Sequence, residues 1–413
     1  MYTQIKRCRI CGNSNLERVL DLGEQALTGV FPRTKEEEVG RGPLRLLKCV
    51  GEAEHACGLL QLEHSYALDE MYGENYGYRS GLNASMVAHL NRKVERISSQ
   101  ILLEPGDLVI DIGSNDATTL KAYVQPGLQL AGVDPTGSKF RDYYPPHIEL
   151  IPDFFSAELV RSRFGDRKAK VVTSFSMFYD LEAPMAFMAE VRDILADDGI
   201  WVFEQSYMPS MLATNSFDTV CHEHLEFYAL RQIQWMAVRT GLKIEDVEFN
   251  DVNGGSFSVT VRKALKYEQQ NSLVAQILDD ETKAGLDTLG PFQAFRNRVE
   301  RARETVSAFV ANARSEGRII AGLGASTKGN VILQYCGLTA DDIYAIGEVN
   351  SDKFGSFTPG SLIPIVSERS LLEQNPDYFL VLPWHFHAFF ERSSSFVNRA
   401  LVFPLPEFSI SKR

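Results

Sequence analysis

The stretch Leu108-Val-Ile-Asp-Ile-Gly-Ser-Asn-Asp116 decides the fold class of this chain. An apolar strand runs into a glycine turn that opens a helix, which is typical of the first unit of a Rossmann-like α/β sheet. The turn departs from the dinucleotide-binding fingerprint, because Ser114 and Ala117 stand where further glycines would lie. One glycine lets the backbone approach a ligand, and Asn115 and Asp116 offer polar side chains to it. We therefore expect a ligand at the carboxyl edge of a parallel sheet.

The second strand of this pattern, Leu128-Gln-Leu-Ala-Gly-Val-Asp134, ends in an acidic residue about 20 positions further along the chain. A carboxylate at that place is suited to the hydroxyl groups of a ribose. Asp153 and Phe154 follow another short strand, and an aspartate with an aromatic ring can hold a purine. These features favour a nucleoside ligand. A Rossmann-like domain that binds another ligand is the alternative.

Further α/β units surround this core. The apolar periodicity predicts helices at 85–102 and 183–195, and strands at 169–176, 199–204, 242–247 and 257–261. Asn253-Gly-Gly-Ser256 joins the last two strands, which we expect to form an antiparallel hairpin at the sheet edge. Ser176 lies at the carboxyl end of its strand, where open α/β sheets hold their ligands.

A cluster of ionisable residues, Cys221-His-Glu-His-Leu225, follows the strand at 199–204 and should lie near the same edge of the sheet. Two histidines that flank a glutamate offer a base with a pKa near neutrality and a carboxylate to orient it. The alternative is that His222 and His224 are surface loop residues.

Four cysteines mark the N-terminal segment. Cys8 and Cys11 are two residues apart and can take two corners of a tetrahedron, and Cys49 and Cys57 complete a four-cysteine zinc site. Seven residues separate the second pair, which exceeds the usual spacing, so His55 is an alternative ligand. A redox role for the first pair is the other alternative. Zinc with four protein ligands would be structural, and a module with little core of its own would depend on it for folding.

The connector from Met71 to Gly81 is polar, aromatic and rich in glycine. Its three tyrosines, Tyr72, Tyr76 and Tyr78, allow two interpretations. They form either a turn that packs on the neighbouring domain or a lid over a ligand, because phenols and an arginine can bind a carboxylate or a sugar.

A second α/β pattern follows a mostly helical stretch from Lys263 to Gly317. Strand, glycine turn and helix start recur in Arg318-Ile-Ile-Ala-Gly-Leu-Gly-Ala-Ser-Thr-Lys-Gly-Asn330. Lys328, together with the amides near Gly329 and Asn330, suits a pyrophosphate. The spacing is wrong for the P-loop of nucleoside triphosphatases. A domain that serves stability alone is the alternative.

Two more strands, Ile343 to Val349 and Tyr378 to Leu382, continue this second pattern. The latter ends at Trp384 and His385, again at a carboxyl edge, and these two residues are further candidates for contact with a substrate.

Length and charge limit the classes of protein that fit. A chain of 413 residues should form about two or three domains. The formal net charge of −12 argues against nucleic acid as a partner. We expect no membrane partner and a cytoplasmic location, since no apolar run reaches the roughly 20 residues of a membrane span and the first residues lack a signal-peptide core. We expect a monomer or a small homo-oligomer.

Taken in order, these motifs resemble the nucleotide-sugar C-methyltransferases of bacterial deoxysugar pathways, over nearly the whole chain. The matching stretches are the cysteine module, Tyr76-Gly-Tyr-Arg-Ser-Gly81, Asp111-Ile-Gly-Ser-Asn-Asp116, Val133-Asp134-Pro135, Cys221-His-Glu-His-Leu225, Asn253-Gly-Gly-Ser256 and Gly324-Ala-Ser-Thr-Lys-Gly-Asn330. The resemblance implies S-adenosylmethionine in the central domain and a structural zinc. It also implies a nucleoside-diphosphate sugar bound between the central and C-terminal domains, and methylation at C3 of a 4-keto sugar.

The resemblance also assigns roles to residues. His224 occupies the position of the base that removes the C3 proton, Glu223 lies beside it, and Tyr76 and Tyr78 are candidates for stabilising the enolate. His222 is a further candidate for the catalytic site. Cys221 departs from the family pattern, since some members carry a tyrosine there. The cofactor would contact Asp111, Gly113, Ser114, Asn115, Asp116, Asp134, Pro135, Asp153, Phe154 and Ser176, and the substrate would contact Lys328, Gly329, Asn330, Trp384 and His385.

We therefore expect an α/β protein with three parts. These are a zinc-binding module at 1–68, a Rossmann-like methyltransferase domain with a helical lid at 69–262, and a helical linker with a second Rossmann-like domain at 263–413. Two other functions remain open. The first is a sugar O-methyltransferase that uses the same cofactor site. The second is a non-enzymatic protein whose zinc module serves assembly and whose α/β domains only bind nucleotides.

Overall fold

The computed structural model describes residues 2–52, 54–66, 79–265 and 271–412. The expected three-part α/β architecture is confirmed: a small N-terminal module with a cysteine cluster, a central Rossmann-like sheet and a second α/β sheet towards the C-terminus. Within the described residues, no helix has the length and apolar character that crossing a membrane requires.

The N-terminal module consists of short antiparallel strands. They are β1 (Tyr2–Gln4), β2 (Leu16–Ala26), β3 (Arg41–Cys49), β4 (Leu60–Leu62) and β5 (His64–Tyr66). Strand β3 pairs with β2 on one side and with β4 on the other, and β1 pairs with β5.

The cysteine cluster lies at one end of this module. The Sγ atoms of Cys8 and Cys57 are 3.5 Å apart, and those of Cys11 and Cys49 are 3.6 Å apart. All four Sγ atoms lie within 4.8 Å of one another, as a tetrahedral zinc site requires, so the long spacing between Cys49 and Cys57 does not separate them. His55 is exposed and lies outside the cluster. The donor set is therefore four thiolates, which fits zinc.

The central domain alternates helices and strands. They are α1 (Ala84–Gln100), β6 (Leu108–Ile112), α2 (Thr118–Lys121), β7 (Gln129–Val133), β8 (Ile148–Ile151), α3 (Ala157–Phe164), β9 (Ala169–Phe175), α4 (Pro184–Ile194), β10 (Leu195–Ser206), α5 (Met208–Ala213), β11 (Glu226–Phe227), α6 (Leu230–Thr240), β12 (Leu242–Asn250), β13 (Ser256–Lys263) and α7 (Ser272–Lys283).

The strands of this domain, apart from β11, form a sheet in the order β12-β13-β10-β9-β6-β7-β8. The run from β8 to β10 is parallel, β13 is antiparallel to β10, and β12 pairs antiparallel with β13, as the hairpin around Asn253 predicts. Strand β6 is the central strand of this parallel run, and all five of its residues are buried, which explains its apolar sequence.

Helix α1 packs on this sheet through a face that is only partly apolar. The predicted Leu90, Val94 and Ile97 are buried, but so are His89 and Lys93, which both bond to the buried Glu204 of β10. The histidine and the lysine offset the free-energy cost of burying this carboxylate, and they keep the pKa of Glu204 below its usual range.

The C-terminal domain repeats the α/β pattern. Its elements are α8 (Gly290–Ser315), β14 (Ile320–Leu323), α9 (Thr327–Tyr335), β15 (Ile346–Glu348), β16 (Ile365–Ser367), α10 (Glu368–Gln374), β17 (Tyr378–Val381), α11 (His387–Arg392), β18 (Ala400–Phe403) and β19 (Ser409–Lys412). Its sheet has the order β16-β15-β14-β17-β18-β19, with all pairs parallel except the last.

The N-terminal module lies between the other two domains and shares a core with each. Leu20 and Leu44 belong to one buried cluster with Phe292 and Val331 of the C-terminal domain. Cys8, Cys57 and Leu59 belong to another with Tyr228 of the central domain. The module therefore buries its apolar residues against both neighbouring domains, and its dependence on zinc for folding stays a prediction.

The four-thiolate site can be tested with Cys8→Ser. The wild type is expected to hold one zinc ion per chain. The variant should lose most of this zinc and unfold at a lower temperature, because the free energy of zinc binding is part of the free energy of folding. Metal analysis and thermal unfolding measure the two effects.

Cys336→Ala is the matched control, because Cys336 is also buried but lies in the C-terminal domain, outside the cluster. It should keep its zinc while losing some stability. A folded Cys8→Ser protein with full zinc occupancy would contradict the assignment.

Candidate functional site

The glycine turn after β6 is braced by Asp134, at the end of β7. The backbone N–H of Asn115 donates to Oδ2 of Asp134 at 2.7 Å, and the N–H and hydroxyl of Thr136 donate to Oδ1 at 2.7 and 2.6 Å. Gly113 has a φ of 74°, which favours glycine in this turn. Asp134 thus holds the two predicted binding segments together at the carboxyl edge of the sheet.

Two of the predicted cofactor residues support this turn from beneath. Asp111 is buried and accepts a hydrogen bond from the hydroxyl of Thr173 at 2.6 Å, and burial raises the pKa of Asp111 to about 7. The hydroxyls of Ser114 and Tyr144 are 2.8 Å apart. Asp111 and Ser114 therefore both shape the turn.

Other predicted cofactor residues are exposed along the same edge. Phe154 is 54% exposed, and Pro135, Asp153 and Ser176 are also at the surface. An exposed aromatic ring beside a carboxylate is available to a ligand, which is the arrangement that the sequence predicts for a purine.

The end of the connector reaches the glycine turn. The backbone N–H of Ser80 donates to Oδ1 of Asn115, and that of Gly81 donates to Oδ2 of Asp116, both at 3.0 Å. This contact is what a lid over the turn needs. The tyrosines of the connector, Tyr72, Tyr76 and Tyr78, lie outside the described residues, so the choice between a turn and a lid stays a prediction.

His224 lies at the carboxyl edge of the central sheet, beside the loop that follows β9. Its ring packs edge-on against Tyr179 with centroids 4.5 Å apart, and the neighbouring N–H of Leu225 donates to the carbonyl of Tyr179 at 2.9 Å. Nδ1 of His224 is 2.8 Å from the carbonyl oxygen of Thr219. Because that oxygen can only accept, Nδ1 carries the proton and the lone pair of the neutral ring is on Nε2.

The protonation state of His224 follows from its surroundings. Burial is the main cause that lowers the pKa of His224 to about 4, and the positive charge of Lys328 adds to it. The ring is therefore neutral at pH 7, and its orientation is fixed by a backbone carbonyl. It has the properties of a positioned general base.

Glu223 has a different place from the one expected. We expected its carboxylate to orient a histidine, but that role belongs to the carbonyl of Thr219. The carboxyl group of Glu223 lies instead against the backbone of Gly29 and interacts with the thiol of Cys221. Burial raises the pKa of Glu223, and its Oε2 has no hydrogen-bond partner among the described residues.

His222 points away from His224, into the N-terminal module. Its Nε2 is 3.3 Å from the carbonyl oxygen of Gly42, and its ring packs edge-on against Tyr66 with centroids 4.7 Å apart. The side chain is buried, which lowers its pKa to about 4. His222 therefore joins two domains, and neither histidine is a surface loop residue.

A small cavity beside His224 contains a residue that sequence reasoning missed. Its walls are Tyr179, Ser206, Met208, Met211, Thr219, His224, Glu226 and Phe227. Glu226 is 2% exposed and belongs to β11. The signal was present in the sequence, since residues two apart in an extended segment share a face, and Glu226 follows His224 by two.

The interface between the central and C-terminal domains brings together motifs that are far apart in sequence. Nζ of Lys328 donates to the carbonyl of Asn253 at 3.0 Å, and Nε1 of Trp384 donates to Oδ2 of Asp218 at 2.9 Å. Burial lowers the pKa of Lys328, and the nearby Asp218 opposes this shift. Lys328 thus supplies positive charge close to His224.

The start of helix α9, which includes Lys328, is arranged differently from the pyrophosphate site that the sequence predicts. The N–H of Gly329 donates to the hydroxyl of Ser326 at 3.0 Å, and the N–H of Asn330 donates to the carbonyl of the same serine at 3.0 Å. The side chain of Asn330 is buried and donates to the carbonyl of Thr28 at 2.8 Å. These amides cap helix α9 and join it to the N-terminal module, so Lys328 is the group that remains for a phosphate.

His385 lies next to Trp384, on the C-terminal domain's side of this interface. It is partly buried, which lowers its pKa to about 3, and its Nδ1 finds no partner within the described ranges. A buried polar atom without a partner is available to a ligand.

Comparison with known proteins follows the three-part organisation. Residues 8–72 match the family described as "Putative zinc binding domain". Residues 83–247 match "Methyltransferase domain", and residues 251–406 match "C-methyltransferase C-terminal domain". C-methyltransferase NovU of Streptomyces niveus is 29% identical to this chain over 411 residues, which span 98% of this chain and 96% of NovU.

Some solved structures resemble less than half of the chain. The CcbJ methyltransferase of Streptomyces caelestis has a TM-score of 0.33 and 12% identity, and the match covers 43% of this chain and 90% of CcbJ. The glycopeptide N-methyltransferase MtfA in complex with S-adenosylmethionine has a TM-score of 0.32 and 12% identity, covering 42% and 93%.

The resemblance that the motifs indicate is thus confirmed at the level of the family and of the cofactor. Three consecutive domain matches show an S-adenosylmethionine-dependent methyltransferase domain between a zinc-binding domain and the C-terminal domain of C-methyltransferases, and the chain is similar to C-methyltransferase NovU along almost its whole length.

Proposed function

We propose that the chain methylates C3 of a nucleoside-diphosphate 4-keto-deoxysugar, with His224 as the base that forms the enolate. The observation that carries this proposal is the environment of His224. Its proton is held on Nδ1 by the carbonyl of Thr219, so Nε2 is free to accept a proton beside the loop that follows β9. Carbon methylation calls for such a base, because a carbon beside a carbonyl is no nucleophile until it loses its proton.

The order of events follows from this geometry. Nε2 of His224 takes the proton from C3, and the electrons of the C–H bond form the enolate. S-adenosylmethionine, when bound, would supply the electrophilic methyl group, whose bond to sulfur breaks, with the electron pair left on sulfur, as its bond to the sugar carbon forms. The carbonyl of Thr219 stabilises the imidazolium form of His224, because it accepts from Nδ1–H in either protonation state.

The sugar nucleotide is proposed to bind between the central and C-terminal domains. Lys328 there supplies a positive charge for the diphosphate, and Trp384 and His385 line the same side. Cys221, where the resemblance implies a tyrosine in some members of the family, offers only a buried thiol. The pocket next to Glu223 is therefore expected to differ from theirs in shape and in hydrogen bonding.

The reaction itself can be tested with labelled S-adenosylmethionine and a panel of 4-ketosugar nucleotides. The product expected by NMR has a new methyl group on C3 and no C3 proton. A methyl group on oxygen would point to the O-methyltransferase alternative, which the family of the C-terminal domain disfavours.

Asp134 is proposed to hold the ribose of the cofactor. Asp134→Ala should weaken binding of the demethylated cofactor, because each lost hydrogen bond to a charged group contributes about 1.5–3 kcal/mol, or roughly tenfold or more in affinity. Calorimetry measures the change. Asp166→Ala removes an exposed carboxylate near the opposite edge of the sheet and should bind normally. Unchanged affinity in Asp134→Ala would mean that the ribose lies elsewhere.

Lys328 is proposed to bind the diphosphate of the substrate. Lys328→Ala should raise the KM for the sugar nucleotide by about tenfold or more, and leave cofactor affinity unchanged, since one charged contact is lost. Steady-state kinetics separate KM from kcat. Arg318→Ala removes a positive charge at the amino end of β14 and is the matched control. An effect confined to cofactor binding would exclude this role for Lys328.

His224→Ala should bind the cofactor normally and transfer methyl groups about 10²–10⁴ times more slowly, which is the usual cost of losing a general base. His222→Ala should keep more activity, because His222 faces the N-terminal module. With demethylated cofactor present, the wild type should exchange the C3 proton for solvent deuterium. A His224→Ala variant that exchanges this proton as fast as the wild type would show that another group is the base.

The pH dependence gives a second test of the base. A base with the ordinary histidine pKa would make activity rise with pH near about 6.5. Since the pKa of His224 is lowered to about 4, the neutral and active form is present at all higher pH values, and activity should fall only as pH decreases through about 4. The profile of kcat/KM against pH measures this limb, and His222→Ala should leave its position unchanged.

A further inference from the structure

The carboxyl group of Glu226 shares a cavity with the proposed base. Glu226 and His224 both line the small space beside Tyr179, together with polar groups of Ser206 and Thr219. The hydroxyl of Thr219 is already bonded to the carbonyl of Ser216 at 2.7 Å. Glu226 is therefore an acid in the wall of the same cavity as the proposed base.

Both carboxyl oxygens of Glu226 are buried, and neither has a hydrogen-bond partner in the part of the chain that the structure describes. The nearest cation is Arg9, whose Nε is 3.8 Å from Oε1, which is too far for a hydrogen bond. Arg9 instead donates to the carbonyl of Leu62 at 2.7 Å, to the hydroxyl of Ser65 at 2.8 Å and to Glu182 at 3.3 Å.

The backbone holds this unpartnered group in place. Glu226 pairs with Gln61 in the edge strand of the N-terminal sheet, and its neighbour Leu225 is bonded on both sides. A buried carboxyl group without a partner costs free energy in the unliganded protein. The presence of this carboxyl group in a paired strand beside the proposed base is explained if a ligand supplies its hydrogen-bond partner.

We infer that Glu226 is a further catalytic residue, which donates a hydrogen bond to the carbonyl oxygen of the substrate while His224 removes the adjacent proton. The inference rests on the proposed function. The C–H electrons form a new C=C bond, the π electrons of the carbonyl move to its oxygen, and the carbon-bound proton goes to Nε2. The O–H bond of Glu226 stays intact and stabilises the oxygen on which negative charge develops.

The electrostatic surroundings agree with a protonated donor. Burial raises the pKa of Glu226 well above its ordinary value, and the negative charges of Glu182 and Asp180 act in the same direction. Arg9 opposes these effects. A carboxylic acid that is kept neutral by an apolar site can stabilise an enolate by hydrogen bonding.

Two variants of similar size separate a donor from a merely structural group. Glu226→Gln keeps an N–H donor at the same place, and Glu226→Met removes it. The rate measured is deuterium exchange at C3 of the substrate with demethylated cofactor bound. Glu226→Met should lose about 10²–10³ in this rate, the usual cost of losing one oxyanion donor, whereas Glu226→Gln should stay within about tenfold of the wild type.

Glu182→Gln is the matched control, since Glu182 also contacts Arg9 but lies outside the cavity, and it should exchange at the wild-type rate. Zinc content and affinity for the demethylated cofactor report folding in every variant. Exchange at the wild-type rate in Glu226→Met, or equal loss in folded Glu226→Gln and Glu226→Met, would overturn the inference. If the wild type exchanged no carbon-bound proton of any 4-ketosugar nucleotide, the proposed function itself would fail.

Discussion

The pairing of β11 with β4 is the interaction on which the site depends. Leu225 donates its N–H to the carbonyl of Tyr179 in the central domain, and its carbonyl accepts from the N–H of Leu62 in the N-terminal module. Glu226 and Phe227 then continue as the edge strand of the N-terminal sheet. Because the backbone on the C-terminal side of His224 is bonded to two domains, its imidazole has a defined place next to the loop after β9.

This pairing makes the zinc-binding module part of the proposed active centre. The strand that carries Glu226 completes the sheet of that module, and Arg9, which stands between Cys8 and Cys11, lies 3.8 Å from the same carboxyl group. The zinc ion is structural in the sense that it has no open coordination position. Its effect nevertheless extends to the base, because disorder in the cysteine end would release the strand that fixes His224 and Glu226.

The sequence allowed the fold to be predicted because its signals are local. The apolar run of β6, the glycine at position 113 and the hairpin around Asn253 each follow from residues within one short segment. The missed features depend on residues distant in sequence or on backbone groups. Nothing in the spacing of Cys221 to Leu225 shows that the carbonyl of Thr219, and not Glu223, orients His224. The burial of His89 and Lys93 on the inner face of helix α1 is likewise set by Glu204 from a distant strand.

Burial has opposite effects on the pKa of the base and the acid of this site, and both effects favour the neutral form. The pKa of His224 falls to about 4 while that of Glu226 rises, because a low-dielectric environment disfavours the imidazolium and the carboxylate alike. The free site therefore avoids two buried charges. Proton transfer then creates charge on the imidazole and on the substrate oxygen together, where the carbonyl of Thr219 and the proposed donor Glu226 stabilise it. A more exposed pair would be better solvated before the reaction and would gain less from these contacts during it.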